Sequence, residues 1–333
     1  MSAWEGRTVL VTGATGFIGS HLVEALLDRG AQVRAVGRSR QRFESVLGSR
    51  AHQVEFLEGD LASPVFSRVA CEGMRAVFHL AAQVTGVEYN TKYPGTMLTQ
   101  NIAIGLHVLD AAAHVGVERF LCVSSACVYP SRCTIPTPES EGFVGDPDPT
   151  NFGYGWAKRF LEVQARCYVQ ESGIKIAIVR PYNTYGPRDN FEWETSHAIP
   201  ALIRKMVEGQ DPIVVWGDGQ QTRSFLYVSD LVDGMVLALE RYAVGDPVNL
   251  GTDEEVTVAD VVRTMIELSG SRARIVFDTS HPAGQARRNG NFTKARTQLG
   301  FLPQVALREG LRRTIAWYRE HRARAAVSAG ASQ

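Results

Sequence analysis

The sequence predicts an α/β protein: a doubly wound parallel sheet with a smaller α/β domain attached. Three observations carry this reading. Short apolar runs alternate with helical stretches through the first half of the chain. A glycine-rich turn, TGATGFIG (12–19), joins the first run to the first helix. Beyond Pro181 the alternation loosens, and Gly and Pro become frequent, as in YGPRD and WGDGQQ. Strands separated by helices form parallel βαβ units, because a parallel neighbour is reached only by a long crossover.

The elements follow in order. RTVLVT (7–12) reads as a strand, and Phe17 to Arg29 as a helix stopped by Gly30. AQVRAV (31–36), QVEFLEGD (53–60) and AVFHLAA (76–82) read as the next three strands. A long helix is expected from Leu98 to Val115, then a fifth strand, ERFLCVSS (118–125). Residues 151–172 read as a helix and IKIAIVR (174–180) as a sixth strand, with DPIVVW (211–216) a short strand beyond it. The expected division puts 1–180 and 220–250 in the first domain and 181–219 and 251–325 in the second. A flexible tail is expected over 326–333.

Composition removes several function classes. With 333 residues, 44% of them hydrophobic, the chain can bury one large core or two smaller ones. A formal net charge of zero, without a long block of one sign, argues against a nucleic-acid partner. No apolar run approaches the roughly 18 residues of a membrane span, and the start, MSAWEGR, lacks the apolar stretch of a signal peptide. Cys71, Cys122, Cys127, Cys133 and Cys167 form neither a CxxC pair nor a metal-ligand spacing. Such a set suits a reducing cytoplasm better than a disulfide framework, and no metal is expected.

In the turn, Gly13, Gly16 and Gly19 have GxxGxxG spacing. Glycine permits the tight bend and lets backbone N–H groups at the helix start, including those of Phe17 and Ile18, approach a pyrophosphate. Strand, turn and helix in that order make this a Rossmann-type dinucleotide site. A tight βα turn without a ligand is the alternative. The second strand ends Val36-Gly37-Arg38-Ser39-Arg40, with no acid to take a ribose 2′-hydroxyl. Guanidinium groups suit a 2′-phosphate, so NAD(P) is expected with NADP favoured over NAD and Arg38 as its reader. A solvated basic loop is the alternative. Asp60, with Leu61 beside it, is placed to meet the adenine edge; Asp60 as an ordinary turn residue is the other reading.

Tyr154-Gly155-Trp156-Ala157-Lys158 is a YxxxK. On a helix, positions four apart share a face. An ammonium near a phenol favours the phenolate and makes a general base of it. Phe152, Trp156, Phe160 and Val163 form a separate apolar stripe, read as core or dimer face.

TGATGFIG, HLAA (79–82), SSACVYP (124–130), YGWAK (154–158), RPYNTYGP (180–187) and GDGQQTRSFLYVSDL (217–231) occur in this order. Together they resemble the extended short-chain dehydrogenase/reductase family, whose members act on nucleotide sugars. The resemblance covers residues 7 to 320 or so. It implies that Ser125 and Tyr154 hydrogen-bond the sugar C4 oxygen and that Tyr154 takes the C4–OH proton as hydride leaves C4 for the nicotinamide. It implies that Lys158 holds the nicotinamide ribose and tunes Tyr154, and that Leu80, Ala81 and Ala82 line the cofactor. Ser124 is read as a structural hydroxyl. By the same analogy Asn183, Arg223 and Arg288 bind the substrate diphosphate, and the chain is a homodimer. Asn291 departs from the aspartate usual three residues after the last arginine.

Two subfamilies resemble it further. SSACVYP is similar to GDP-mannose 3,5-epimerases and GDP-fucose synthases, which carry a cysteine at the Cys127 position. SHAIPALIRK (196–205) is similar to the synthase segment bearing a catalytic histidine, here His197, whereas WGDGQQTRSF (216–225) looks more like the epimerases. A C4 ketone acidifies C3–H and C5–H, and Cys and His both titrate near enough to neutrality to move those protons. Three readings follow: an epimerase working through a transient 4-keto sugar, an NADPH-consuming epimerase–reductase, and a 4-epimerase with an idle Cys127. A dinucleotide-binding scaffold without catalysis is the non-enzyme reading. Intact Ser125, Tyr154 and Lys158 speak against it.

Overall fold

The computed structural model describes residues 2–193, 195–280 and 285–330. Its first half runs β1 (Thr8–Thr12), α1 (Phe17–Asp28), β2 (Gln32–Gly37), α2 (Arg40–Leu47), β3 (Glu55–Glu58), α3 (Pro64–Cys71) and β4 (Ala76–His79). There follow α4 (Val87–Lys92), α5 (Pro94–His114), β5 (Arg119–Val123), α6 (Phe152–Glu171) and β6 (Lys175–Pro181). The second half contains β7 (Thr184–Tyr185), α7 (Ala198–Val207), β8 (Ile213–Trp216), β9 (Thr222–Ser224), β10 (Leu226–Tyr227) and α8 (Val228–Arg241). It ends with β11 (Pro247–Leu250), β12 (Glu255–Thr257), α9 (Val258–Ser269), β13 (Ile275–Asp278), β14 (Arg287–Arg288) and α10 (Leu307–Gly330).

Seven parallel strands form the main sheet in the order β11-β6-β5-β4-β1-β2-β3. The order reverses beside β1, which makes a Rossmann sheet with its crevice at the carboxyl ends. Register aligns Thr12 with His79, His79 with Cys122 and Val123 with Val179, so one sheet edge carries every strand end of interest. Alternation along each strand feeds both faces. Val9, Val11, Phe78 and Leu121 join one buried cluster, while Leu10, Val77, Phe120 and Cys122 join the other. A third cluster, including Tyr185, Ile203, Ile213, Val262 and Leu311, lies under three small sheets: β10-β7, β12-β9-β14 and β13-β8.

Several element limits differ from the sequence reading for physical reasons. The strand expected to reach residue 82 stops at His79, because the Thr12 hydroxyl accepts the Leu80 and Ala81 N–H groups at 3.1 Å each. The strand expected to reach Ser125 stops at Val123, and Ser125 then caps a 3-10 turn over Ala126–Val128. The third strand shortens to Glu55–Glu58. The helix expected from Leu98 starts at Pro94, where a missing N–H is harmless. Helices α2 and α3 went unrecognised although Ser39 and Ser63 are N-caps, accepting from the Arg42 and Phe66 N–H groups. Within 220–250, α8 and β11 lie with the main sheet, whereas β9 and β10 pair in the small sheets. Helix α10 runs on to Gly330, and residues 331–333 lie outside the described residues. Among the described residues no helix is long and apolar enough to cross a membrane.

Candidate active site

The glycine turn is sterically closed to larger residues. Gly13 has φ +69°, and a Cβ there would stand 3.0 Å from the Ala81 nitrogen. A Cβ on Gly19 would stand 2.2 Å from the Gly13 carbonyl oxygen. Gly16 caps α1 with no side-chain hydrogen bond, so the first-turn N–H groups of Phe17, Ile18 and Gly19 keep their capacity for an anion. Leu80, Ala81 and Ala82 leave β4 directly against this turn. The cradle therefore fits the pyrophosphate of a nicotinamide dinucleotide, held by Gly13, Gly16, Phe17, Ile18 and Gly19. His79 supports it from beneath. Thr12 accepts two N–H bonds, so its own proton goes to His79 Nδ1 at 3.0 Å. Burial, with the nearby Lys158 charge, pushes the His79 pKa down to about 3 and keeps the ring neutral.

The end of β2 carries two arginines, Arg38 and Arg40. Arg40 donates to the Phe56 carbonyl at 3.0 Å and lies over the Phe56 ring at 5.2 Å. Arg38 is exposed. Asp60 spends one oxygen on the Ala62 N–H at 2.9 Å, a turn role that leaves the other oxygen, and the Leu61 side chain is buried in the core.

Ser125, Tyr154 and Lys158 come together where β5 meets α6. Ser125 Oγ accepts the Cys127 N–H at 3.1 Å, and Ser125 hydrogen-bonds Tyr154. Lys158 is buried; its Nζ donates to the Val123 carbonyl at 2.8 Å and stands 5.6 Å from the centre of the Tyr154 ring. Burial pushes the Lys158 pKa down to about 8. Burial also pushes the Tyr154 phenol above its usual range, Cys127 adds to the rise, and the Ser125 bond opposes it. The expectation that Lys158 lowers the Tyr154 pKa therefore does not hold here. The ammonium is directed at a carbonyl, and desolvation of the phenolate dominates.

Cys127 is half-buried, and its Sγ lies 4.0 Å from Arg288 Nη2. Arg288 pairs in register with Arg223 on the next strand, so both guanidinium groups lie on one face. Burial and the Arg288 charge lower the Arg223 pKa. Burial would lower that of Arg288 too, but Cys127, Tyr182 and Asp148 raise it overall. Two close cations make a place for a polyanion. Asn183 anchors its amide nitrogen on the Ser224 carbonyl at 3.0 Å, which leaves its oxygen side for a ligand. Asn291 replaces the expected aspartate without loss of the local turn: its Oδ1 accepts the Thr293 N–H at 2.9 Å. His197 begins α7 and stays solvent-accessible, although partial desolvation lowers its pKa. No hydrogen bond among the described residues joins it to Cys127.

Sequence reasoning missed a buried polar network under this site. Ser124 donates to Glu162, which pairs with Arg180 at 2.7 Å with both side chains 1% exposed. Tyr129 and Asn249 continue it. The signals were present: Arg180 closes an apolar run, and Glu162 follows Lys158 by one helical turn. The stripe of Phe152, Phe160 and Val163 is exposed and is not part of this chain's core. Among the described residues no His, Cys, Asp or Glu group could hold a metal.

Comparison with known proteins follows the same lines. Residues 9–251 match the NAD dependent epimerase/dehydratase family. A probable GDP-L-fucose synthase of Oryza sativa subsp. japonica is 34% identical over 324 residues, covering 95% of this chain and 93% of that protein. A dTDP-4-dehydro-6-deoxy-D-allose reductase of Streptomyces bikiniensis is 32% identical over 323 residues, covering 96% and 98%. Among solved structures, a UDP-glucose 4-epimerase of Thermotoga maritima with UDP-glucose superposes with a TM-score of 0.85 at 28% identity, covering 95% and 99%.

Proposed function

The chain belongs to the NAD-dependent epimerase/dehydratase family, and from that premise we propose that it reduces the C4 ketone of a nucleotide-diphosphate 4-keto-6-deoxy sugar, with NADPH as reductant. The observation that carries this reading is the meeting of Ser125, Tyr154 and buried Lys158 at the end of β5, with the paired cations Arg223 and Arg288 beside Cys127. Reduction needs a proton for the ketone oxygen, and a phenol held above its usual range has one to give at neutral pH. The relatives named as a fucose synthase and a deoxy-allose reductase support the same direction.

Bound NADPH would supply hydride to C4, breaking the C4–O π bond. The oxygen so charged takes the Tyr154 proton, giving a C4 hydroxyl. Ser125 hydrogen-bonds that oxygen and orients it. Arg223, Arg288 and Asn183 hold the diphosphate. Arg38 takes the 2′-phosphate that distinguishes NADPH from NADH. Cys127 and His197 exchange protons at C3 or C5 while C4 is still a ketone. Two copies pack through the exposed Phe152, Phe160 and Val163 face of α6.

A second reading keeps Cys127 and His197 in the same roles without net reduction, as a 3,5-epimerase would. It is favoured by WGDGQQTRSF (216–225). One experiment separates the two. The enzyme is incubated in D2O with NADPH and GDP- or dTDP-linked 4-keto-6-deoxyhexoses, and NADPH absorbance and sugar mass are followed. Loss of NADPH matched mole for mole by a 4-hydroxy sugar is expected. A changed sugar with NADPH untouched overturns the reductase reading. Deuterium at C3 or C5 that disappears in Cys127→Ala or His197→Ala assigns the proton chemistry.

A further inference from the structure

The two cations assigned to the diphosphate repel each other. Arg288 lies on β14, an edge strand of two residues, directly in register with Arg223 on β9. Like charges placed opposite each other destabilise a strand pairing. Alternation along the strands puts Thr222 and Arg287 on the opposite face. On that face Glu255, from β12 on the far side of β9, reaches across the sheet. Its Oε1 accepts from Thr222 Oγ1 at 2.5 Å and from Arg287 Nε at 2.7 Å, and its Oε2 accepts from Arg287 Nη2 at 2.8 Å. The Asn289 side chain, two residues on, bonds it as well. The Arg287 bonds hold the Glu255 pKa down to about 2, so the carboxylate stays charged at neutral pH.

As a device for global stability this pair would be weak. The Arg287 side chain is 52% exposed and that of Glu255 20%, and exposed ion pairs add little to folding. Its placement has a different consequence. Each residue that Glu255 grips is the chain neighbour of a diphosphate arginine: Thr222 of Arg223, and Arg287 of Arg288. We propose that Glu255 is a positioning residue for the substrate diphosphate: by tying β14 to β9 on one face, it keeps Arg223 and Arg288 together on the other. The crevice face compensates their charge only in part. Arg288 meets Cys127 Sγ at 4.0 Å, and Arg223 donates one nitrogen to the Thr222 carbonyl at 2.7 Å. A diphosphate brings the missing negative charge. Until it arrives, the hydrogen bonds of Glu255 hold the pair in place, so less ordering is left for binding to do.

The inference rests on the reading of Arg223 and Arg288 as diphosphate ligands. GDP, dTDP and UDP are the probes, and calorimetry gives their dissociation constants, with NADPH binding as the control. The sign of the effect is diagnostic. Removing a negative charge beside an anion site would, by charge alone, tighten binding. Loss of positioning weakens it. In Glu255→Gln the best-bound of the three nucleotides is expected to bind about 3- to 10-fold more weakly, with NADPH binding unchanged. Arg287→Gln is expected to lose the same factor. The double variant Glu255→Gln/Arg287→Gln should lose no more than either single one, because all three break one contact. Should Glu255→Gln fail to fold, Arg287→Lys keeps the charge but loses the two-pronged contact, and is expected to weaken binding in the same sense. Unchanged or tighter nucleotide binding in a folded variant overturns the inference. A wild type that binds none of the three, or binding as tight in Arg223→Ala and Arg288→Ala as in the wild type, overturns the diphosphate reading beneath it and is a distinct result.

Discussion

The thiol of Cys127 and the guanidinium of Arg288 lie 4.0 Å apart, although 160 residues of chain separate the segments that carry them. One was expected to move protons on the sugar ring and the other to hold its diphosphate. On the proposed reading, their approach would put the sugar ring and the diphosphate in one crevice. Replacing Arg288 by Ala removes a charged hydrogen-bond donor worth about 1.5–3 kcal/mol. KM for the nucleotide sugar is expected to rise about 10- to 100-fold, with a smaller change in kcat. Steady-state kinetics check this, and an unchanged KM would remove Arg288 from the diphosphate site.

Tyr154→Phe keeps the ring and removes the proton. On the proposed mechanism kcat falls about 10²- to 10⁴-fold while NADPH binding stays near the wild-type value. Single-turnover kinetics with calorimetry of cofactor binding separate the two effects.

Arg38 is exposed at the end of β2. In Arg38→Ala the dissociation constant for NADPH is expected to rise about tenfold or more, and that for NADH to stay constant. Equal loss for both cofactors would mean that Arg38 does not read the 2′-phosphate.

Acid stability follows from His79. Its pKa is about 3 in the folded protein against a usual 6.5, so between those values the unfolded chain binds the extra proton. Stability is therefore lost as pH falls from 6.5 towards 3, by at most about 1.4 kcal/mol per pH unit from this group. His21, pushed down to about 4 by burial and Arg188, adds a slope of the same sign. Denaturant melts between pH 7 and 4 measure the slope, which His79→Gln should reduce.

Much of the site is legible in the sequence because its signals are local. Gly13, Gly16 and Gly19 answer to sterics within one turn, and Tyr154 and Lys158 to the pitch of one helix. Ser124 illustrates the limit. Its role as a structural hydroxyl could be read at the strand end, but its partner Glu162 is 38 positions away. Arg40 shows the converse. It lies two positions from Arg38 in the chain, and only the fold shows that its guanidinium contacts Phe56 from β3.

By itself, the amino-acid order determined the alternation of strands and helices, the bend that cradles a pyrophosphate and the YxxxK face. Each depends on interactions among residues a few positions apart. The tertiary structure decided which strand ends share an edge, that Arg288 reaches Cys127 and that Glu162 meets Ser124 and Arg180. It also decided that burial raises the Tyr154 phenol above its usual range. A pKa in a folded protein is set by what surrounds the group and how little water reaches it, and both come into being only when distant segments pack.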